Sequence, residues 1–146
     1  MNTPESNTLN EAQFKSLRTG AHPFCIVCGQ SNPFGFGVKF NCEEGGSISA
    51  TFLGHPALEG FEGILHGGVI ASLLDGAMTN CLFAHDCVAM TGELNVRYRE
   101  PVVIGQEMHV RAWIERSSPP LHLLAAELKQ DGRVKAAATA KFMERR

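Results

Sequence analysis

His66-Gly-Gly-Val-Ile-Ala-Ser-Leu-Leu-Asp75-Gly-Ala-Met-Thr-Asn-Cys-Leu-Phe-Ala84 is the stretch that decides how this chain folds. Two glycines open a run of helix formers that contains no proline. Val69, Leu73 and Ala77 fall on one stripe, and Ile70, Leu74, Met78, Cys81 and Leu82 widen it. A helix this apolar around its circumference is buried. Solvent cannot cover it, so the rest of the chain must wrap it.

The segments on either side are built for that task. After the helix, Val88 to Arg99, Glu107 to Glu115, Leu121 to Lys129 and Arg133 to Met143 read as four strands. Asp131-Gly132 is a strong hairpin signal between the last two, and Pro119-Pro120 separates the second from the third. Before the helix, Val38 to Cys42 and Ser47 to Phe52 read as two strands joined by Glu43-Glu44-Gly45-Gly46. The stretches from His22 to Gly37 and from His55 to Leu65 are rich in Gly, Pro and Asn, and read as loops. Asn10 to Leu17 is expected to form a short helix capped by Asn10, and residues 1–9 are expected to fray. The pattern predicts an α+β fold, with a curved antiparallel sheet around one central helix. It divides into an N-terminal extension, partly flexible, over 1–21 and a domain over 22–146.

Composition narrows the function classes. The chain has 146 residues, 44% of them hydrophobic and 19% charged, which suits one globular domain. A formal net charge of −2 gives no bulk positive field for nucleic acid or an anionic membrane. Five cysteines, an odd number, and a start with neither basic residues nor an apolar run point to reduced thiols and a cytoplasmic setting. No stretch is read as a membrane span of about 18 apolar residues.

Three features carry chemistry. Gly67 and Gly68 open the helix, where unpaired N–H groups and the positive end of the dipole can meet a developing oxyanion, and glycine lets a ligand approach closely. A simple turn into the helix is the plainer alternative. Asp75 follows His66 by nine residues, about two and a half turns into an apolar helix. A carboxylate there is costly unless it is paired or used; the alternative is a carboxylate that reaches solvent or caps a loop. Thr91, sixteen residues after Asp75, begins the alternating strand Gly92-Glu-Leu-Asn-Val-Arg-Tyr-Arg99 and could orient a water or a carboxylate, although threonine is also an ordinary strand residue.

Together, Gly63-Ile-Leu-His-Gly-Gly-Val-Ile-Ala-Ser-Leu-Leu-Asp75 and Thr91-Gly-Glu-Leu-Asn-Val-Arg-Tyr-Arg-Glu-Pro101 resemble the signature of hot-dog-fold acyl-CoA thioesterases of the phenylacetyl-CoA thioesterase type. The likeness covers roughly residues 24 to 143. It implies an acyl-CoA substrate and no cofactor, with Asp75 as nucleophile or general base. Gly67 would polarise the thioester carbonyl, Thr91 would hold the attacking water, and His66 would lie beside the thioester. Gly68 and Glu62 are the expected substrate contacts. Many family members carry Asn or Gln a few residues before His-Gly-Gly; this chain has neither, and Glu62 occupies that neighbourhood. Open sheet edges are usually paired or covered, so a homodimer or homotetramer is expected, and the resemblance implies that Gly67 of one chain faces Asp75 and Thr91 of another. The competing readings are an acyl-CoA binder without turnover, a hot-dog dehydratase or hydratase, and a small zinc-dependent interaction module. For the last, His22, Cys25 and Cys28 have ligand-like spacing and Cys42 could be a fourth group. The count is marginal against the four that zinc takes, so no stoichiometric metal is expected.

Overall fold

The computed structural model describes residues 8–145. The long helix, α2, runs over Gly67–Ala84, and twelve of its eighteen residues are buried. It has the length and hydropathy of a membrane span, but the inner face of a sheet covers it instead. Six strands make that sheet: β1 (Asn41–Cys42), β2 (Ile48–Leu53), β3 (Ala89–Tyr98), β4 (Glu107–Ser118), β5 (Leu121–Gln130) and β6 (Arg133–Glu144). They pair antiparallel throughout in the order β1-β2-β4-β5-β6-β3. The predicted α+β architecture, a curved antiparallel sheet around one central helix, is what the chain adopts.

Alternation places the core. On β6, Ala136, Ala138, Ala140 and Phe142 point inward and are buried; Met108, Val110 and Ala112 of β4 and Leu124, Ala126 and Leu128 of β5 do the same. The alanines matter. Small side chains on the concave face let the helix come close enough for Leu73, Leu74, Met78 and Leu82 to fill the space above them.

Most strands fall within a residue of their predicted bounds; β4 runs three residues further, to Ser118, and two other elements differ as much or more. The first strand is only Asn41–Cys42, although Val38 and Phe40 are buried. The Val38 N–H donates to the Val27 carbonyl at 2.9 Å, so this segment lies against the preceding loop rather than in the ladder. The N-terminal helix, α1, runs over Glu11–Ala21, four residues beyond the predicted end. Asn10 and Gln13 form a reciprocal capping box at 2.8 and 3.0 Å. Phe14 is fully buried in the core. The expectation that residues 1–9 fray falls largely on 1–7, outside the described residues; the Leu9 N–H donates to the Ala84 carbonyl at 2.7 Å.

Candidate active site

Asp75 sits midway along α2, half-buried, and the hydroxyl of Thr91 donates to its Oδ1 at 2.6 Å. A bulge arranges this contact. Thr91 pairs with Phe142 and Glu93 with Lys141, so Gly92 is left out of the β3–β6 ladder, and such a bulge re-aims the neighbouring side chain. Burial pushes the carboxyl pKa of Asp75 above its ordinary value, with a smaller push from Cys25. The Thr91 hydrogen bond and the nearby His22 pull the other way.

The helix start is the second half of the site. His66 is the N-cap, and its Nδ1 accepts the Gly68 N–H at 2.8 Å. Val69 and Ile70 both donate to the His66 carbonyl. Of the first-turn donors, Gly67 alone has an N–H without an acceptor among the described residues. The Tyr98 hydroxyl donates to the Gly67 carbonyl at 2.7 Å, fixing the first turn of α2 to the end of β3.

The expected residues therefore divide. Asp75 and Thr91 are in contact, and Gly67 presents a free donor. Gly68 has its N–H taken by His66, so His66 works here as a cap. Glu62 is exposed in the loop before the helix, with no hydrogen bond to either half of the site among the described residues. Glu59 shapes that loop instead, accepting the Gly63 N–H at 3.0 Å.

Sequence reasoning assigned no role to Tyr98 and did not place the segment from His22 to Cys28. That segment lies on α2 beside Asp75: a Cβ added to Gly76 would come within 2.7 Å of Val27 Cγ1. The glycine inside an apolar helix was the available signal of a close approach. His22, Cys25 and Cys28 bring their nitrogen and sulfur atoms within 4.8 Å of one another, and Cys42 is not in this group. Three donors fall short of the four in a closed zinc site. A second group joins Cys87, His122 and Glu144. There the Cys87 thiol donates to Glu144 Oε1 at 3.3 Å, and burial with that carboxylate pushes its pKa up to about 12.

The sequence model of the thioesterase superfamily matches residues 62–137, more than half of the chain, from the loop before the helix into β6. The chain belongs to the thioesterase superfamily. Within it, the chain is 30% identical over 83 residues to acyl-coenzyme A thioesterase THEM4 of Mus musculus; the match covers 57% of this chain and 35% of that protein. It thus spans about a third of the curated relative's length. A thioesterase-type, phenylacetic acid degradation-related protein of Ralstonia eutropha JMP134 superposes with a TM-score of 0.73 at 26% identity, covering 90% of this chain and 98% of that one. The Streptococcus mutans UA159 protein smu.793, solved bound to acetyl CoA, superposes with a TM-score of 0.69 at 16% identity over 74% of this chain and 88% of that one. This thioesterase-superfamily chain has the hot-dog fold.

Proposed function

We propose that the protein hydrolyses acyl-CoA thioesters to the free acid and CoA, with Asp75 supplying or activating the nucleophile. The observation that carries this reading is the half-buried Asp75 carboxylate held at 2.6 Å by the Thr91 hydroxyl. A pure binder needs no base in that position. The mouse relative named as an acyl-CoA thioesterase and the neighbour with acetyl CoA bound support the substrate class.

The chemistry follows from the groups present. Asp75 takes a proton from water as the oxygen adds to the carbonyl carbon, or adds to that carbon directly, in which case water must then hydrolyse the acyl–Asp75 anhydride left after CoA departs. Negative charge then develops on the carbonyl oxygen, where the Gly67 N–H and the helix dipole meet it. Collapse of the tetrahedral species expels CoA as its thiolate, and a thiol is acidic enough for this leaving group to depart without an acid.

Gly67 and Asp75 of one chain do not serve one carbonyl. Eight residues of helix separate them, a rise of about 12 Å, far beyond the reach of a single thioester group. A second copy supplies the missing half. Strand β3 lies at the edge of the sheet, ten residues long, and carries exposed Met90 and Tyr98. An open edge of that length calls for a partner. In a homodimer, or a homotetramer of such pairs, Gly67 of one chain faces Asp75 and Thr91 of the other. A reducing compartment such as the cytoplasm fits the five unpaired thiols.

The test is Asp75→Asn against a panel of acyl-CoA substrates, read by release of free thiol. The variant keeps the shape, and kcat should fall by at least about a hundredfold. A folded variant with near wild-type turnover removes Asp75 from the chemistry. A wild-type protein that binds acyl-CoA and releases no thiol from any member of the panel is the non-catalytic binder.

A further inference from the structure

We propose that Cys25 and Cys28 form a redox-reactive dithiol, in which Cys25 attacks low-molecular-weight disulfides and Cys28 resolves the mixed disulfide into an intramolecular one. The two sulfurs and the His22 ring lie within 4.8 Å of one another. The turn that carries them is tight. The Gly29 N–H donates to the Cys25 carbonyl at 2.9 Å, and a Cβ on Gly29 would come within 2.3 Å of the Cys25 nitrogen. A single helical turn closed by such a four-residue bond puts Cα atoms three residues apart about 5 Å from each other, within the span of about 4.4–6.8 Å that a disulfide bridges.

The two thiols are not equivalent. Cys25 is partly exposed, while Cys28 is buried at 1% exposure. Cys25 Sγ accepts the Val27 N–H at 3.4 Å. The Cys28 thiol beside it, together with His22, holds the Cys25 pKa far below the ordinary thiol range. The same contact and burial push Cys28 the other way. Cys42, Cys81 and Cys87 are all pushed upward, burial being the largest cause in each. An accessible thiolate beside a buried thiol is the division of labour of attacking and resolving cysteines.

The exchange balances. The Cys25 thiolate attacks one sulfur of R–S–S–R, forms Cys25–S–S–R and releases RS⁻. With its thiolate partner gone, His22 gives its proton to water and can take the proton of Cys28, whose Sγ lies 3.9 Å from His22 Nδ1. The Cys28 thiolate then attacks the Cys25 sulfur and releases the second RS⁻. Two protein thiols lose two electrons, and one disulfide becomes two thiols. Because Val27 of this turn packs on Gly76, the bond forms against the helix that carries Asp75. This inference rests on the proposed function only in calling that neighbourhood an active site.

The experiment uses the reduced wild-type protein, oxidised glutathione, intact-mass measurement and peptide mapping. The expected product has lost two hydrogens, with Cys25 linked to Cys28; Cys28→Ser should instead stop at one glutathione on Cys25. Alkylation of Cys25 by iodoacetamide should level off at a lower pH than that of an ordinary thiol, because its pKa is held down, whereas an ordinary thiol still speeds up about tenfold per pH unit up to about pH 8. If Cys28→Ser does not fold, the wild-type alkylation profile and peptide map decide alone. An alkylation rate that climbs with pH like a free thiol's overturns the proposal. So does the absence of a Cys25–Cys28 link, or a zinc-bearing protein whose Cys25 alkylates only after chelation. None of these measurements needs turnover, so a reactive pair in an inactive protein would fail the proposed function and leave the dithiol standing.

Discussion

Replacing Gly67 by proline removes its N–H donor and puts a ring carbon in place of that hydrogen, while sparing the local backbone. Gly67 is the first residue of α2, the position where proline is favoured because its fixed φ suits the helix and no N–H is needed there. A proline constrains the residue before it to extended backbone, and His66 already sits at φ −60, ψ 136. The Gly67 N–H has no acceptor among the described residues, so no structural hydrogen bond is lost, and the carbonyl that accepts from Tyr98 remains. A Cβ at this position meets the Tyr98 ring at 3.5 Å, an ordinary contact. Folding should therefore be nearly unaffected. The chemistry should not: one backbone donor to a developing oxyanion is worth about 10²–10³ in kcat, or about 2.7–4 kcal/mol. Gly67→Ala keeps the donor and should lose less than about tenfold, since its main burden is a methyl group near the thioester. The assay pairs a thermal melt with kcat at saturating acyl-CoA on the same preparations. A well-folded Gly67→Pro protein turning over within about threefold of wild type refutes the placing of the carbonyl at this N–H.

Three further outcomes test the other half of the site. Asp75 has a pKa raised in the folded state, so on acidification it adds stability, and as pH rises from the ordinary carboxylate value near 3.9 through the folded value that stability is lost; Asp75→Asn, which cannot ionise, should melt at or above wild type at pH 7, with the gain vanishing toward pH 4. A lower melting temperature for the asparagine variant at pH 7 contradicts the raised pKa. Thr91→Ala removes the 2.6 Å bond that pulls the Asp75 pKa down, so the acid limb of kcat/KM should move to higher pH and kcat should fall by less than in Asp75→Asn, with Thr91→Ser restoring both; an unshifted limb separates Thr91 from the carboxylate. Finally, Gly67→Pro and Asp75→Asn, each nearly inactive alone, should regain about a quarter of wild-type activity when mixed and reassembled, because half of randomly formed dimers carry both variants and each of those has one intact site. No recovery in dimers shown to have exchanged means that the two halves lie in one chain.

The central helix was legible because two local rules agreed over eighteen residues: a continuous apolar surface, and a proline-free run between glycines and His85. The strands after it were legible for the same reason, with alternation on β6 from Ala136 to Phe142 marking the face that meets the helix. What the sequence hid are contacts between segments far apart in the chain. Val38 and Phe40 have the alternation of a strand and are buried, but whether they pair with β2 or with residues 26–27 depends on where the loop before them docks. That docking is in turn set by Val27 against Gly76, forty-nine positions later. No periodicity reports such a contact; only the glycine betrays it. Tyr98 was hidden in another way. It sits in an alternating strand where a tyrosine is unremarkable, and its hydroxyl acquires a purpose only when β3 is seen to end at the first turn of α2. Gly68 shows the limit of motif reading: both glycines open the helix, yet the His66 ring occupies one N–H and leaves the other free.

On the proposed function, the same helix would explain why the site needs burial and assembly together. An isolated carboxylate inside an apolar helix is destabilising, and the Thr91 bond offsets only part of that. The raised pKa of Asp75 is the sign of the remainder. A base is more effective the closer its pKa lies to the working pH, so the burial that weakens the fold strengthens the proton transfer. The helix can carry such a group because its first turn is tied down elsewhere, by the His66 cap and the Tyr98 hydroxyl. Those ties spare the Gly67 N–H, about 12 Å from the carboxylate that it is meant to assist. A fold with its donor and its base at that separation on one straight element gains nothing by bending. In the proposed dimer it would gain a complete site by pairing β3 edges, which would also remove the exposed strand, and two copies related by a twofold axis would complete two sites at once. Activity should therefore follow assembly: dilution below the dimer dissociation constant should abolish turnover while leaving each chain's helix and sheet intact by circular dichroism. Full activity in a monomer would show that a single chain brings its donor and base together by a motion that this arrangement does not contain.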